Sequence, residues 1–309
     1  MKFLNRAAVA LGLAAAAGLA SAQSITPMQA AVLKWYPTSN SQASVSVTAA
    51  LGIAFDGESV WVTSTSANTV TKIRAADGVT VASYATGHFP TCLAFDGSSM
   101  WVTNQAANTV SKIRASDGLL QGTYATGTAP TGIAYDGTYV WIANYYGANV
   151  SKIRVSTGAL VGTYAVGSSP LGVAFDGTNI WVANTASGTL SWLSGATGTL
   201  LGTVSVGTVR GVAFDGSNIW AVGGNVATRV RASDGAVLGT TTVGNGAYSA
   251  VFDGTYIWTA NSTDKTVSKI VAATGALVGS YPVVGSGPNY LAFDGAFIWA
   301  TIGTGAAKL

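Results

Sequence analysis

Phe-Asp-Gly or Tyr-Asp-Gly recurs seven times along this chain, with its Asp at 56, 96, 136, 176, 215, 253 and 294. A Trp follows five residues after each Asp: Trp61, Trp101, Trp141, Trp181, Trp220, Trp258 and Trp299. Successive motif Asp residues are 40, 40, 40, 39, 38 and 41 apart. A period near 40 built from short alternating segments is the mark of a β-propeller, in which one repeat is one four-stranded sheet. The unit Thr131–Pro170, "TGIAYDGTYVWIANYYGANVSKIRVSTGALVGTYAVGSSP", shows the pattern. Gly132 to Tyr135 reads as a first strand and Asp136-Gly137 as a tight turn, since Gly accepts positive φ. Tyr139 to Ala143 is a second strand carrying the Trp and Asn149 to Arg154 a third. Ser156-Thr157-Gly158 turns the chain into a fourth strand, Ala159 to Val166. A propeller sheet buries both faces against its neighbours, so each repeat needs large apolar side chains at matching positions, and the Trp residues supply them.

The count of units sets the topology. Six complete units begin near Gly52, Cys92, Gly132, Gly172, Gly211 and Ala250, and a seventh begins at Tyr290 but ends at Leu309 after two strands and a stub. At the other end, Val32 to Gly52 has the order of a third and a fourth strand leading into a first strand. The expectation is an all-β, seven-bladed β-propeller of four-stranded antiparallel blades, its ring closed by pairing the N-terminal and C-terminal half-blades so that no edge is left open. The stub "AAKL" and the segment "VLKW" both resemble a third strand, and the sequence leaves open which one takes that place. A chain ending before a further blade is the alternative.

The first residues are read as a targeting segment. Lys2 and Arg6 form a positive n-region, Ala7 to Leu19 an apolar h-region, and Ala20-Ser21-Ala22 an A-x-A cleavage site. This predicts a signal peptide over 1–22, cleavage after Ala22, one propeller domain over 23–309, and a periplasmic or secreted mature protein. No later run has the length and apolarity of a membrane helix. Without Lys2 and Arg6 the chain holds 13 basic and 12 acidic residues, about +1 net, which gives no electrostatic case for nucleic acid or for a polybasic membrane contact. Cys92 is the only Cys, so no intramolecular disulfide forms even in an oxidising compartment.

The repeats resemble the YVTN-type family of bacterial β-propellers, related to NHL-like propellers. Trp101 to Gly137, "WVTNQAANTVSKIRASDGLLQGTYATGTAPTGIAYDG", carries W/Y-V-x-N, N-T-V-x-K-I and G-x-x-P-x-G-I-A. The resemblance spans the mature chain and implies the fold, while the family covers binding modules and surface proteins alike. Streptogramin (virginiamycin B) lyases look similar, with tandem D-G-x-x-W repeats, and that likeness implies elimination chemistry using histidine and a metal held partly by glutamate. This chain has one His, His88, and one Glu, Glu58. They fall in loop types that lie on opposite faces of a propeller, so no lyase residue carries over.

Catalytic groups are scarce. Seven of the twelve carboxylates are motif Asp residues, and Asp77, Asp117 and Asp234 sit in Asp-Gly turns, which leaves Glu58 and Asp264. Turn Asp residues accept local backbone hydrogen bonds, and a cation-binding ring of motif Asp residues is the functional counterpart. One His and one Cys do not build a usual zinc or copper site, so no metal and no cofactor are expected. Cys92 replaces a Gly of other repeats and reads as a small buried residue. Lys72/Arg74, Lys112/Arg114, Lys152/Arg154 and Arg229/Arg231 recur at i, i+2, and their stems are expected to cover apolar blade surface while their heads reach water, with a basic band around the propeller as the functional alternative.

Divergence among repeats is the remaining signal. The Asp-Gly face is monotonous, whereas the opposite face departs from consensus at His88, Phe89, Tyr145, Tyr146, Arg210, Tyr248, Asp264, Lys265 and Tyr290, and its loop at Gly223 to Asn225 is shortened. The reading is a monomeric, non-catalytic binding or interaction module that takes a protein, glycan or small molecule on that face. A lyase or hydrolase using the channel mouth and a structural cell-surface component are the alternatives.

Overall fold

The computed structural model describes residues 44–309, so the signal peptide expected over 1–22 and the "VLKW" segment lie outside the described residues. The described chain is a β-propeller of antiparallel four-stranded sheets. The unit read above folds as expected: Pro130–Tyr135, Tyr139–Asn144, Asn149–Arg154 and Leu160–Ala165 pair in sequence order. Pro90–Ala125 and Pro170–Ser205 form two further sheets of the same kind. First strands pack side by side around a central channel, and the last of them, Leu291–Phe293, returns to the first, Ser44–Phe55. We read the pairing as seven blades.

Two strands serve two blades each. The start of Ser44–Phe55 pairs with Gly303–Lys308, with Ser44 opposite Ala307 and Val45 opposite Ala306, and its end pairs with Ser59–Ser64. Val237–Phe252 likewise ends one blade along Asn218–Arg231 and begins the next along Tyr256–Asn261. In that fifth blade the shortened loop at Gly223 to Asn225 lets second and third strands run together as Asn218–Arg231.

The ring closes, as expected, by pairing the N-terminal and C-terminal segments in one sheet, and the pairing decides the third strand that the sequence left open. The C-terminal segment supplies three strands, Leu291–Phe293, Ile298–Thr301 and Gly303–Lys308, and the N-terminal segment supplies only the fourth. "AAKL" therefore takes the third place. A tight turn makes this fit: Ile302 N donates to Gly305 O at 2.9 Å, and Gly303 sits at φ 73°, a conformation that favours glycine.

The core lies between blades. Trp61 and Val70 pack with Leu93, Met100, Val102 and Ile113 of the next blade. The same arrangement repeats around the ring and ends with Trp299 and Ala306 against Val60, Val62 and Ile73 of the first blade. Six of the seven motif Trp residues are fully buried and Trp258 is 4 % exposed. The motif Asp explains the fixed spacing. In every blade its Oδ2 accepts the indole N–H of the Trp five residues on, at 2.7–2.8 Å. Its Oδ1 accepts the amides two and three residues on, as from Thr138 and Tyr139 to Asp136 at 2.8 and 2.7 Å. One carboxylate thus closes the turn and satisfies the one polar atom of a buried ring.

The third-strand lysines correct one expectation, for their heads do not reach water. Lys72 and Lys152 are 9 % and 2 % exposed. Each ammonium crosses to the following blade and donates to a backbone carbonyl: Lys72 to Ala115 at 2.9 Å, Lys112 to Val155 at 3.0 Å and Lys152 to Gly195 at 2.7 Å. Arg229 does the same to Ala273, and Lys308 reaches Ala75 at 2.7 Å across the closure. The motif Asp favours this burial, since Lys72 Nζ lies 3.3 Å from Asp56 and 5.4 Å from the Trp61 ring centroid. The companion arginines stay outside, and Arg74, Arg114 and Arg231 pair with turn residues Asp77, Asp117 and Asp234.

Candidate channel-mouth site

The channel is lined by the position four residues before each motif Asp: Gly52, Cys92, Gly132, Gly172, Gly211, Ser249 and Tyr290. Close approach of the first strands explains the glycines. A Cβ on Gly52 would lie 1.9 Å from the Thr91 carbonyl oxygen, and one on Gly132 2.0 Å from that of Leu171. Where the consensus Gly gives way, the side chain enters the channel. Tyr290 does so most, passing over the first blade to bring its hydroxyl to the Cys92 thiol and to Tyr248. A cavity of about 110 Å³ remains.

Four residues singled out for their divergence converge on this end. The Tyr248 and Tyr290 rings meet edge to face at 5.2 Å and 76°. The Arg210 guanidinium carbon lies 5.2 Å over the Tyr248 ring, and Tyr145 is close enough to act on the Tyr248 hydroxyl. Burial pushes the Cys92 thiol up to about 11, although the hydrogen bond from Tyr290 opposes it. Burial, reinforced by Cys92 and Tyr248, also holds the Tyr290 phenol well above its ordinary range. Burial raises Tyr248 too, against the pull of Arg210. The floor of the channel is therefore uncharged at neutral pH, and Cys92 offers no thiolate nucleophile there.

The other five residues lie apart. Phe89 and the exposed Tyr146 line a separate recess of about 370 Å³, with Gln105, Ala106, Asn108, Thr128 and Ala129. Tyr146 also meets the Tyr145 ring edge to face at 5.2 Å, so it borders both places. His88 is exposed beside the recess, where its carbonyl accepts the Ala106 amide. Asp264 is bound into the loop: its carboxylate accepts the Asn245 amide at 2.8 Å, a task that Asn68 and Asn108 perform for Phe89 and Ala129. Lys265 is exposed next to it.

No family model and no curated protein matches the chain. Among solved structures it is similar to a streptogramin B lyase, with 18 % identity and a TM-score of 0.75 over 86 % of this chain and 96 % of the other. A virginiamycin B lyase from Staphylococcus aureus gives 19 % identity and a TM-score of 0.74, over 86 % of this chain and 97 % of that one. Kuenenia stuttgartiensis hydrazine synthase gives 16 % and 0.73, over 89 % and 98 %. The likeness is one of fold.

The site itself must speak for its chemistry. Among the described residues, no three or more His, Cys, Asp or Glu side chains gather where they could hold a metal ion. The motif Asp carboxylates do not form a cation ring, because the Trp indoles and turn amides already occupy their oxygens. What the mouth presents is three tyrosines, one guanidinium and the Ser249 hydroxyl. Ser249 and Cys92 escape a reading based on loop divergence because they lie on a first strand. Their signal is the loss of Gly at the one position where neighbouring strands nearly touch.

Proposed function

We propose that this protein is an exported, non-catalytic β-propeller that acts as a binding module through its divergent face, with the channel mouth as its principal site. The observation that carries this reading is the convergence of Tyr145, Arg210, Tyr248 and Tyr290, drawn from four blades, on one end of the channel. Aromatic rings with polar tips and a lone cation suit recognition, since they combine contact area with a few directional groups. Export rests on the targeting pattern of Met1 to Ala22.

A thermal-melting screen against metabolites, oligosaccharides and divalent metals, with and without chelator, tests the reading. A ligand at 100 times its Kd adds about 2.7 kcal/mol, which is plainly visible as a shift. Shifts that vanish in Tyr145→Ala and Tyr248→Ala support the mouth. Shifts that survive both variants would move the site elsewhere. The structural likeness to two lyases favours a second reading, an enzyme acting at the same mouth. Turnover of streptogramin B that disappears in His88→Ala would establish it. Against it stands the placement of His88 and Glu58 in loops at opposite ends of the propeller.

A further inference from the structure

We infer that the channel mouth takes a small aromatic carboxylate, its carboxylate held by Arg210 and Ser249 and its ring by Tyr248 and Tyr145; this rests on the binding-module reading above. Arg210 is the first ground. The other described arginines are engaged: Arg74, Arg114 and Arg231 with turn carboxylates, Arg154 with the Tyr139 hydroxyl and Arg229 with backbone carbonyls. Arg210 alone among them makes neither an ion pair nor a side-chain hydrogen bond with a described residue. Its guanidinium carbon lies 5.2 Å over the Tyr248 ring, a stacking that leaves the N–H edge free for a two-pronged hold on a carboxylate.

Ser249 is the second and independent ground. It is 6 % exposed and lines the same cavity as Arg210, yet its hydroxyl has no hydrogen-bond partner. A buried hydroxyl left unpaired is costly, and five of the six other blades carry no hydroxyl at that position. The backbones of the two residues are neighbours, for a Cβ on Gly211 would lie 2.7 Å from Ser249 Cα. An anion bound at this point accepts from both groups at once.

The third ground is the uncharged aromatic surround. The Tyr290 and Cys92 floor bears no negative charge to repel a carboxylate, and among the described residues no Asp or Glu lines the cavity. The cavity of about 110 Å³ beside Arg210 and Ser249 has room for a carboxylate head, and the ring would rest outside it against Tyr248 and Tyr145. Edge-to-face packing on tyrosine is the geometry a third ring would continue.

Calorimetric titration of the purified chain with benzoate tests this, with benzamide and inorganic phosphate as parallel arms and thermal melting as a check on folding. Benzoate is expected to bind in the millimolar range, as suits so small a ligand, and at least tenfold more tightly than benzamide. Arg210→Gln should weaken benzoate at least tenfold while melting like the parent. Ser249→Ala should also weaken it without lowering the melting temperature of the free protein. Equal binding of benzamide, or undiminished binding by Arg210→Gln, overturns the carboxylate assignment and leaves an aromatic binding mouth standing. Binding of phosphate but not benzoate, lost in Arg210→Gln, overturns the aromatic part and makes this an inorganic-anion site. No heat with benzoate on folded protein overturns the proposal, while the wider reading stands or falls on the Tyr145→Ala and Tyr248→Ala screen.

Discussion

A single carboxylate in each repeat performs two tasks that polar residues usually divide, and at Asp56, Asp96 and Asp294 it also faces a lysine ammonium. Asp56 accepts the Ser59 and Glu58 amides through Oδ1 and the Trp61 indole through Oδ2, and it faces the Lys72 ammonium at 3.3 Å. Trp141→Ala should cost about 3–5 kcal/mol, as large core truncations do, measured by urea unfolding. Trp141→Phe keeps most of the ring but leaves Asp136 Oδ2 without its indole donor, and should cost about 1–3 kcal/mol. Little change in the Trp141→Ala midpoint would refute the packing role. Cys92 yields a separate test. Buried and raised to about 11, its thiol should resist a thiol reagent at neutral pH in native protein. Tyr290→Ala removes the ring in front of it and should speed labelling at least tenfold without unfolding the chain; an unchanged rate would mean that Tyr290 does not guard the channel.

At the level of strands and blades, the latches that join one blade to the next carry the predictions. Lys308→Met removes the hydrogen bond from the last blade to Ala75 of the first and should cost about 1.5–3 kcal/mol, the range for hydrogen bonds to charged groups. A loss confined to a few tenths would show the closure to rest on strand pairing alone. Fold and blade boundaries were legible because each strand is short, each turn carries Gly, and Asp and Trp keep constant separation. The closing blade was only half legible, since "AAKL" and "VLKW" have the same pattern and only the Ile302–Gly305 turn decides between them. The buried lysine heads were missed because the carbonyls they reach lie about 43 residues ahead, in another blade. Of the site, the loop divergence pointed to Tyr145, Arg210, Tyr248 and Tyr290 but also to Asp264, which is a loop anchor. A departure from consensus cannot by itself separate recognition from a substituted hydrogen-bond partner.

Across the whole molecule, two of the repeated carboxylates, Asp56 and Asp96, make stability depend on pH in a definite direction. Burial tends to raise Asp56 and Asp96, but indole and amide hydrogen bonds outweigh it and hold both below the ordinary 3.8. The folded state then binds fewer protons than the unfolded one, so their contribution is full above about pH 4 and disappears as pH falls through the depressed native values. Urea midpoints should accordingly be flat from neutral pH to about 5 and drop below about 4; a midpoint that stays level below about pH 4 would show these carboxylates to contribute nothing. The proposed export predicts a mature N-terminus at Gln23, which N-terminal sequencing of envelope and medium fractions checks. The three-to-one division of the closing blade has a consequence in time. Chains are made from the N-terminus, so Ser44–Phe55 is synthesised long before its outer partner, Gly303–Lys308. Until those residues leave the ribosome, the ring has an open seam, and a nascent or prematurely ended chain carries two unsatisfied strand edges. Ring closure thus waits on the synthesis of Gly303–Lys308, and a chain that stops short of that strand keeps its seam open.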